Sequence, residues 1–175
     1  MTIQPLQTEE TGSHYEILLR MRDEAGALVS PDLFISAAER YGLISNIDRW
    51  VVEHAFLWLV SEADERERLA LCSINLSGSS LADNEFLPFV IRQFQRSGLD
   101  ASKICFEITE TAAIASFAQA SRFINALKEL GCKFALDDFG TGLSSFGYLK
   151  HFPVDYLKID GSFVKEMLHD PIDRE

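Results

Sequence analysis

Short runs of β-prone residues alternate along this chain with longer segments in which apolar positions recur every three or four residues. The short runs fall at His14 to Met21, Leu69 to Leu76, Lys103 to Thr109, Lys133 to Phe139 and Asp155 to Asp160, and this alternation predicts βα units. Several helix ends are legible. Ser30-Pro31 offers an N-cap followed by proline at the first helical position, and Gly42 closes a helix expected over about 31–41. Ser45 with Asp48 three residues on resembles a capping box. Ile47, Val51, Phe56, Leu57 and Val60 then supply an apolar face before the charged stretch Glu62 to Arg68, expected as a solvated helix end. Gly98 and Gly131 stand where helical patterns stop. The runs from Lys133 and Tyr156 carry few polar residues before their last positions, as parallel strands covered by helices do. The pattern predicts an α/β fold with a parallel sheet or barrel, with no linker or fixed-period repeat dividing the chain.

The polar residues that interrupt these apolar runs collect at the downstream strand ends: Asn75, Glu107 and Glu110, Asp137 and Asp138, then Lys158 and Asp160. In a β/α barrel all strand C-termini open on one face, so such groups converge there. Carboxylates with a carboxamide, and no histidine or thiolate in the pattern, suit hard divalent cations such as Mg²⁺ or Mn²⁺ rather than zinc. Adjacent Asp137 and Asp138 would let one carboxylate bridge two cations. The loop that follows, Phe139-Gly-Thr-Gly-Leu-Ser-Ser, is glycine-rich, a composition equally suited to a plain turn. Taken singly, each polar residue has a plainer reading. Asn75 before Ser77 and Gly78 also suits an Asx turn, Glu16 also suits a solvent face, and Lys158 also suits an ion pair with Asp155 or Asp160. Glu107 is harder to explain as structure, since an unpaired inward carboxylate is costly.

Composition narrows this further. With 175 residues, 47% hydrophobic and 25% charged, the chain suits one domain with a true core. A formal charge of −11 argues against a footprint for DNA or an anionic membrane, so a phosphate ligand would need metal ions to screen the protein's own carboxylates. No run of about 18 apolar residues occurs and the start lacks a secretory signal, so a cytoplasmic protein with no membrane segment is expected. Cys72, Cys105 and Cys132 are odd in number and sit among apolar residues, which predicts buried free thiols.

The motifs together resemble the EAL domain family. Tyr15-Glu-Ile-Leu-Leu-Arg is similar to its name-giving motif with Ile17 in place of alanine, Asn75-Leu-Ser to NLS, Glu107-Ile-Thr-Glu to ExTE, Asp137-Asp-Phe-Gly-Thr-Gly to DDFGTG, and Lys158-Ile-Asp to KID. Ile3-Gln-Pro-Leu resembles the family's opening strand. The resemblance implies a TIM-type (β/α) barrel and a two-metal phosphodiesterase that opens cyclic di-GMP to pGpG. It implies that Glu16, Asn75, Glu107 and Asp137 hold one Mg²⁺ or Mn²⁺ ion and Asp137 with Asp138 the second. Lys158 would orient or help deprotonate the attacking water, Arg20 would meet a ligand phosphate, and Glu110 would brace the 138–145 loop. Leu143, where the family commonly has tyrosine, would alter that loop. A complete (β/α)₈ domain needs about 250 residues, so the chain is expected to hold about six of eight strands, without the family's further metal-binding glutamate and its glutamine near substrate. Impaired hydrolysis and self-association through open sheet edges follow as expectations. A non-catalytic cyclic di-GMP receptor is the rival reading. Sensory or GGDEF domains would be plausible neighbours in a parent protein.

Overall fold

The computed structural model of the chain describes residues 1–6, 12–140, 150 and 152–166. Strand β1 (Thr2–Leu6) pairs antiparallel with β2 (Ser13–Leu18), and a small ribbon, β3 (Met21–Arg22) with β4 (Leu28–Val29), follows. Helices α1 (Pro31–Arg40), α2 (Ile44–Ser61) and α3 (Ala63–Arg68) lead to β5 (Leu69–Leu76). Helices α4 (Gly78–Ala82) and α5 (Phe86–Ser97) precede β6 (Ile104–Thr109). Then α6 (Glu110–Ala115) and α7 (Phe117–Glu129) precede β7 (Lys133–Phe139), which is followed by β8 (Tyr156–Ile159) and α8 (Gly161–Glu166).

The expected α/β architecture is present. Six strands form one sheet in the order β1-β2-β5-β6-β7-β8, parallel from β2 onward and not closed on itself among the described residues. Gly98 (φ 64°) and Gly131 (φ 104°) take the left-handed backbone that ends α5 and α7. Among the described residues no helix is long and apolar enough to cross a membrane.

Period-two alternation sorts each strand between two faces. Ile17, Ile74, Phe106, Ile108, Phe134 and Leu136 are all 2% exposed or less, in one core with Val52, Phe56 and Leu59 of α2, Phe94 of α5 and Phe123 of α7. The Phe123 ring lies 6.3 Å from Phe106 and 6.2 Å from Phe134. Burying each such ring stabilises by about 2–3 kcal/mol. The opposite face starts with a small apolar patch, Leu71, Cys105 and Ala135. Two residues further along the same strands stand Glu107 and Asp137, with Asn75 four beyond Leu71, so one face runs from apolar to acidic toward the strand C-termini.

Four expectations need correction. The run His14 to Met21 is divided, since β2 ends at Leu18 and Met21 belongs to the ribbon. The charge run is a separate helix, α3, rather than the end of α2. β8 is not a covered strand: Tyr156, Leu157 and Ile159 are 37%, 46% and 64% exposed, as β8 is the last strand of the sheet among the described residues. The Ser45–Asp48 capping box does not form. α2 starts after Leu43, leaving Ser45 and Asp48 inside the helix, where tertiary partners take them. The Ser45 hydroxyl donates to Asp83 (3.0 Å), and Asp48 accepts from the Ser77 N–H (2.9 Å) and from the hydroxyls of Ser77 and Ser80 (both 2.6 Å).

Asp48 therefore ties α2 to the turn that ends β5. Burial pushes its carboxyl up, against the pull of the serine hydrogen bonds. Asp48→Ala would orphan three donors at once and is expected to cost about 3 kcal/mol, read as a lowered urea midpoint. A loss below about 0.5 kcal/mol would mean that the network contributes nothing.

Candidate active site

Each polar group of the acidic face is delivered by a strand end. β2 supplies Glu16, β5 Asn75, β6 Glu107, β7 Asp137 and β8 Lys158. In register, Asn75 stands beside Glu107, and Glu107 beside Ala135, two residues before Asp137. The structure brings these groups around the Lys158 ammonium. Nζ lies 2.5 Å from Glu107 Oε2, 3.1 Å from Asp137 Oδ2 and 3.9 Å from Glu16 Oε1. The Asn75 amide donates to Glu16 Oε1 at 3.0 Å. Asp155, which the sequence allowed as a partner of Lys158, is instead engaged by Lys128, Lys133 and the Phe134 N–H.

A local irregularity presents the two aspartates. Leu136 pairs with Leu157 and Phe139 with Ile159, so Asp137 and Asp138 on β7 stand against Lys158 alone on β8. Such a bulge leaves one residue outside the ladder and re-aims it. Asp138 takes φ 52°, a left-handed backbone that aspartate tolerates better than most residues, and its N–H donates to Asp137 Oδ1 at 3.0 Å. Gly140 (φ 101°) follows, and its N–H donates to Glu110 Oε2 at 2.9 Å; a Cβ there would meet the Phe163 ring at 2.9 Å. Glu110 is fully buried at the start of α6. Residues 141–149, with Leu143 and most of the glycine-rich loop, lie outside the described residues.

The electrostatics follow from crowding. Burial pushes the Glu107 carboxyl up, while Lys158 pulls it down less strongly. Burial, then Asp137 and Asp160, raise Asp138. Burial works against the Lys158 charge, but the hydrogen bond and charge of Glu107, and those of Asp137, hold its pKa well above the ordinary lysine value. Lys158 is thus cationic at neutral pH. Three carboxylates facing one cation, beside a carboxamide, form an all-oxygen donor set that fits a hard divalent ion. With Lys158 lying between them, no three acidic, histidine or cysteine side chains among the described residues are already gathered to enclose a metal. The cysteines offer no alternative ligands. All three are free and buried, and burial pushes the Cys72 and Cys132 thiols up to about 12 and Cys105 higher still.

Beside the cluster is a cavity of about 320 Å³, whose walls include Arg20, Ile35, Asp48, Asn75, Glu107 and Thr109. Arg20 is exposed and donates to its neighbour's carbonyl, Leu19 O, at 2.8 Å. Sequence reasoning missed Asp48 as a wall of this cavity. Its signal was available, since an acid on the stripe Ile44, Asp48, Val51, Val52, Ala55 and Leu59 must find a partner when the stripe is buried.

The EAL domain family model matches residues 1–175. The chain is 43% identical over 152 residues to the cyclic di-GMP phosphodiesterase PdeB of Shewanella oneidensis, covering 87% of this chain and 18% of that protein. It is 38% identical over 172 residues to the cyclic di-GMP phosphodiesterase PdeF of Escherichia coli, covering 97% and 23%. It thus spans about a fifth of the length of these curated relatives. Among solved structures, the FimX EAL domain of Pseudomonas aeruginosa bound to c-di-GMP aligns with a TM-score of 0.88 at 32% identity, over 98% of this chain and 69% of that one.

Proposed function

The chain belongs to the EAL domain family, and from that premise we propose that its strand-end cluster opens cyclic di-GMP to linear pGpG with two Mg²⁺ or Mn²⁺ ions. The observation that carries the proposal is the convergence of Glu16, Glu107 and Asp137 on one cationic group. A metal supplies two things when bound there: polarisation of the scissile phosphate and a water of lowered pKa. Glu16, Asn75, Glu107 and Asp137 hold one ion, and Asp137 and Asp138, presented together by the bulge, hold the second. Lys158 Nζ, once released from Glu107 and Asp137 and so no longer held cationic by them, orients the attacking water and helps take its proton. Arg20, at the cavity wall, meets a phosphate of the ligand. Glu110 braces the backbone beyond the aspartates through Gly140.

We further propose that hydrolysis by this chain is slow and that chains associate through β8. Among the described residues that strand exposes Tyr156, Leu157 and Ile159 at the edge of a sheet that is not closed, and such edges seek partners.

The test is chromatography of cyclic di-GMP incubated with the chain and Mn²⁺ or Mg²⁺, with sedimentation of the same preparation. Metal-dependent formation of pGpG, slower than the usual enzymatic turnover of about 1–10³ s⁻¹, with concentration-dependent association, is expected. Binding without turnover at any metal concentration would make the chain a receptor. Neither binding nor turnover would overturn the proposed function, and a monomer turning over within the usual range would overturn the impairment and the association.

A further inference from the structure

Lys158 stands on the shortest strand of the six-stranded sheet. β8 has four residues, is hydrogen-bonded to β7 alone among the described strands, and leaves Tyr156, Leu157 and Ile159 partly exposed. Strand register is usually fixed by burial of one face, and here that constraint is weak. The bulge weakens it further, because the ladder is interrupted between the pairs Leu136–Leu157 and Phe139–Ile159, where Lys158 lies. A slip of one residue would turn Lys158 away from the acidic face.

The fastening is three residues upstream, at the other end of the strand. The Asp155 N–H donates to Phe134 O (2.8 Å), and Asp155 Oδ2 accepts from the Phe134 N–H (2.9 Å), so one residue holds both backbone groups of its neighbour on β7. The same carboxylate accepts from Lys128 Nζ on α7 (2.7 Å) and Lys133 Nζ on β7 (3.4 Å). Phe134, the anchor point, is fully buried in the core. Burial disfavours the Asp155 charge, but the Lys128 hydrogen bond, the Phe134 amide and the two lysine charges hold its carboxyl below the usual carboxylate range.

We propose that Asp155 is a positioning residue. It sets the register of β8 on β7 and so delivers Lys158 to Glu107, Asp137 and Glu16. The proposal rests on the role of Lys158 argued above. An alternative in which Asp155 forms only a stabilising ion pair makes different predictions, and two variants separate them. Asp155→Ala removes the acceptor facing Phe134, whereas Asp155→Asn keeps an oxygen for that amide and loses only the charge.

The experiment compares the wild-type chain with both variants by thermal melting, by amide hydrogen exchange, and by kcat and KM for cyclic di-GMP with Mn²⁺. In Asp155→Ala, exchange across 156–160 is expected to rise by about tenfold while β6 keeps its protection. kcat is expected to fall by about 10- to 100-fold at nearly unchanged KM, the scale of a misplaced catalytic group. Asp155→Asn is expected to recover exchange and kcat to within about threefold of wild type. A variant that melts lower while β8 exchange and kcat stay at wild-type values would overturn the proposal and leave a plain ion pair. If Asp155→Ala does not fold, β8 exchange in Asp155→Asn still decides: exchange at the rate of a frayed edge despite the retained oxygen would overturn fastening through Phe134. A wild-type chain without turnover would overturn the proposed function instead, and the exchange comparison would still judge Asp155.

Discussion

Asp137→Asn is expected to remove Mn²⁺ binding and cyclic di-GMP turnover together, with little change in folding. Asp137 is the carboxylate shared between the two proposed ions, and its two oxygens already serve different neighbours. Oδ2 faces Lys158 at 3.1 Å, while Oδ1 accepts the Asp138 N–H at 3.0 Å. Asparagine preserves the shape and one acceptor, so the bulge can persist, but it brings no charge to a site built to hold cations. Replacing even an outer partner of a metal ligand costs about 10- to 100-fold in affinity; loss of a shared ligand is expected to exceed about 100-fold, with turnover falling to background. Glu107→Gln should behave alike, because Glu107 is 3% exposed and is the nearest carboxylate to the Lys158 ammonium. Calorimetric titration of Mn²⁺ alone gives the binding result independently of activity. Near wild-type turnover by either variant at limiting Mn²⁺ would exclude the two-metal assignment.

Lys158→Ala should separate metal assembly from water activation. Cyclic di-GMP binding is expected to survive, while hydrolysis falls by the roughly 10²- to 10⁴-fold typical of losing a positioned acid–base group. Without metal, Lys158 is the cation that balances Glu107 and Asp137, so its removal leaves a buried carboxylate without its ion-pair partner. A fully buried pair broken this way costs about 3–5 kcal/mol. The Lys158 side chain is 36% exposed, which argues for about 1–2 kcal/mol here. The same removal takes away a competitor for the carboxylates, so Mn²⁺ should bind the variant at least as tightly and restore its melting temperature. Equal loss of ligand binding and turnover would instead make Lys158 a phosphate clamp. Weakened Mn²⁺ binding would mean that its ammonium does not compete for the metal site.

The sequence by itself determined what is local in this protein. Short β-prone runs bounded by turn residues located β5, β6 and β7 to within a residue, because strand propensity and turn chemistry are properties of the local sequence. Glycines 98 and 131 marked helix ends for a similarly local reason, the left-handed backbone each adopts. Carboxylates, a carboxamide and an amine at successive strand ends announced one site, since parallel strands must deliver their C-termini to the same side. Only the tertiary structure decided who meets whom. Lys158 could reach several acids by sequence spacing, and it meets Glu107, 51 residues away, and Asp137, 21 away, while Asp155 is taken by Lys128, Lys133 and the Phe134 amide. Asp48 looked like half of a local cap and instead binds serines 29 and 32 residues downstream. The two-against-one register at Asp137 and Asp138 has no signature in β7 alone, for it exists only relative to β8. These outcomes depend on strand register and on which buried polar groups lack nearer partners. Both are set when distant segments come together, and neither is encoded in the spacing of any one of them.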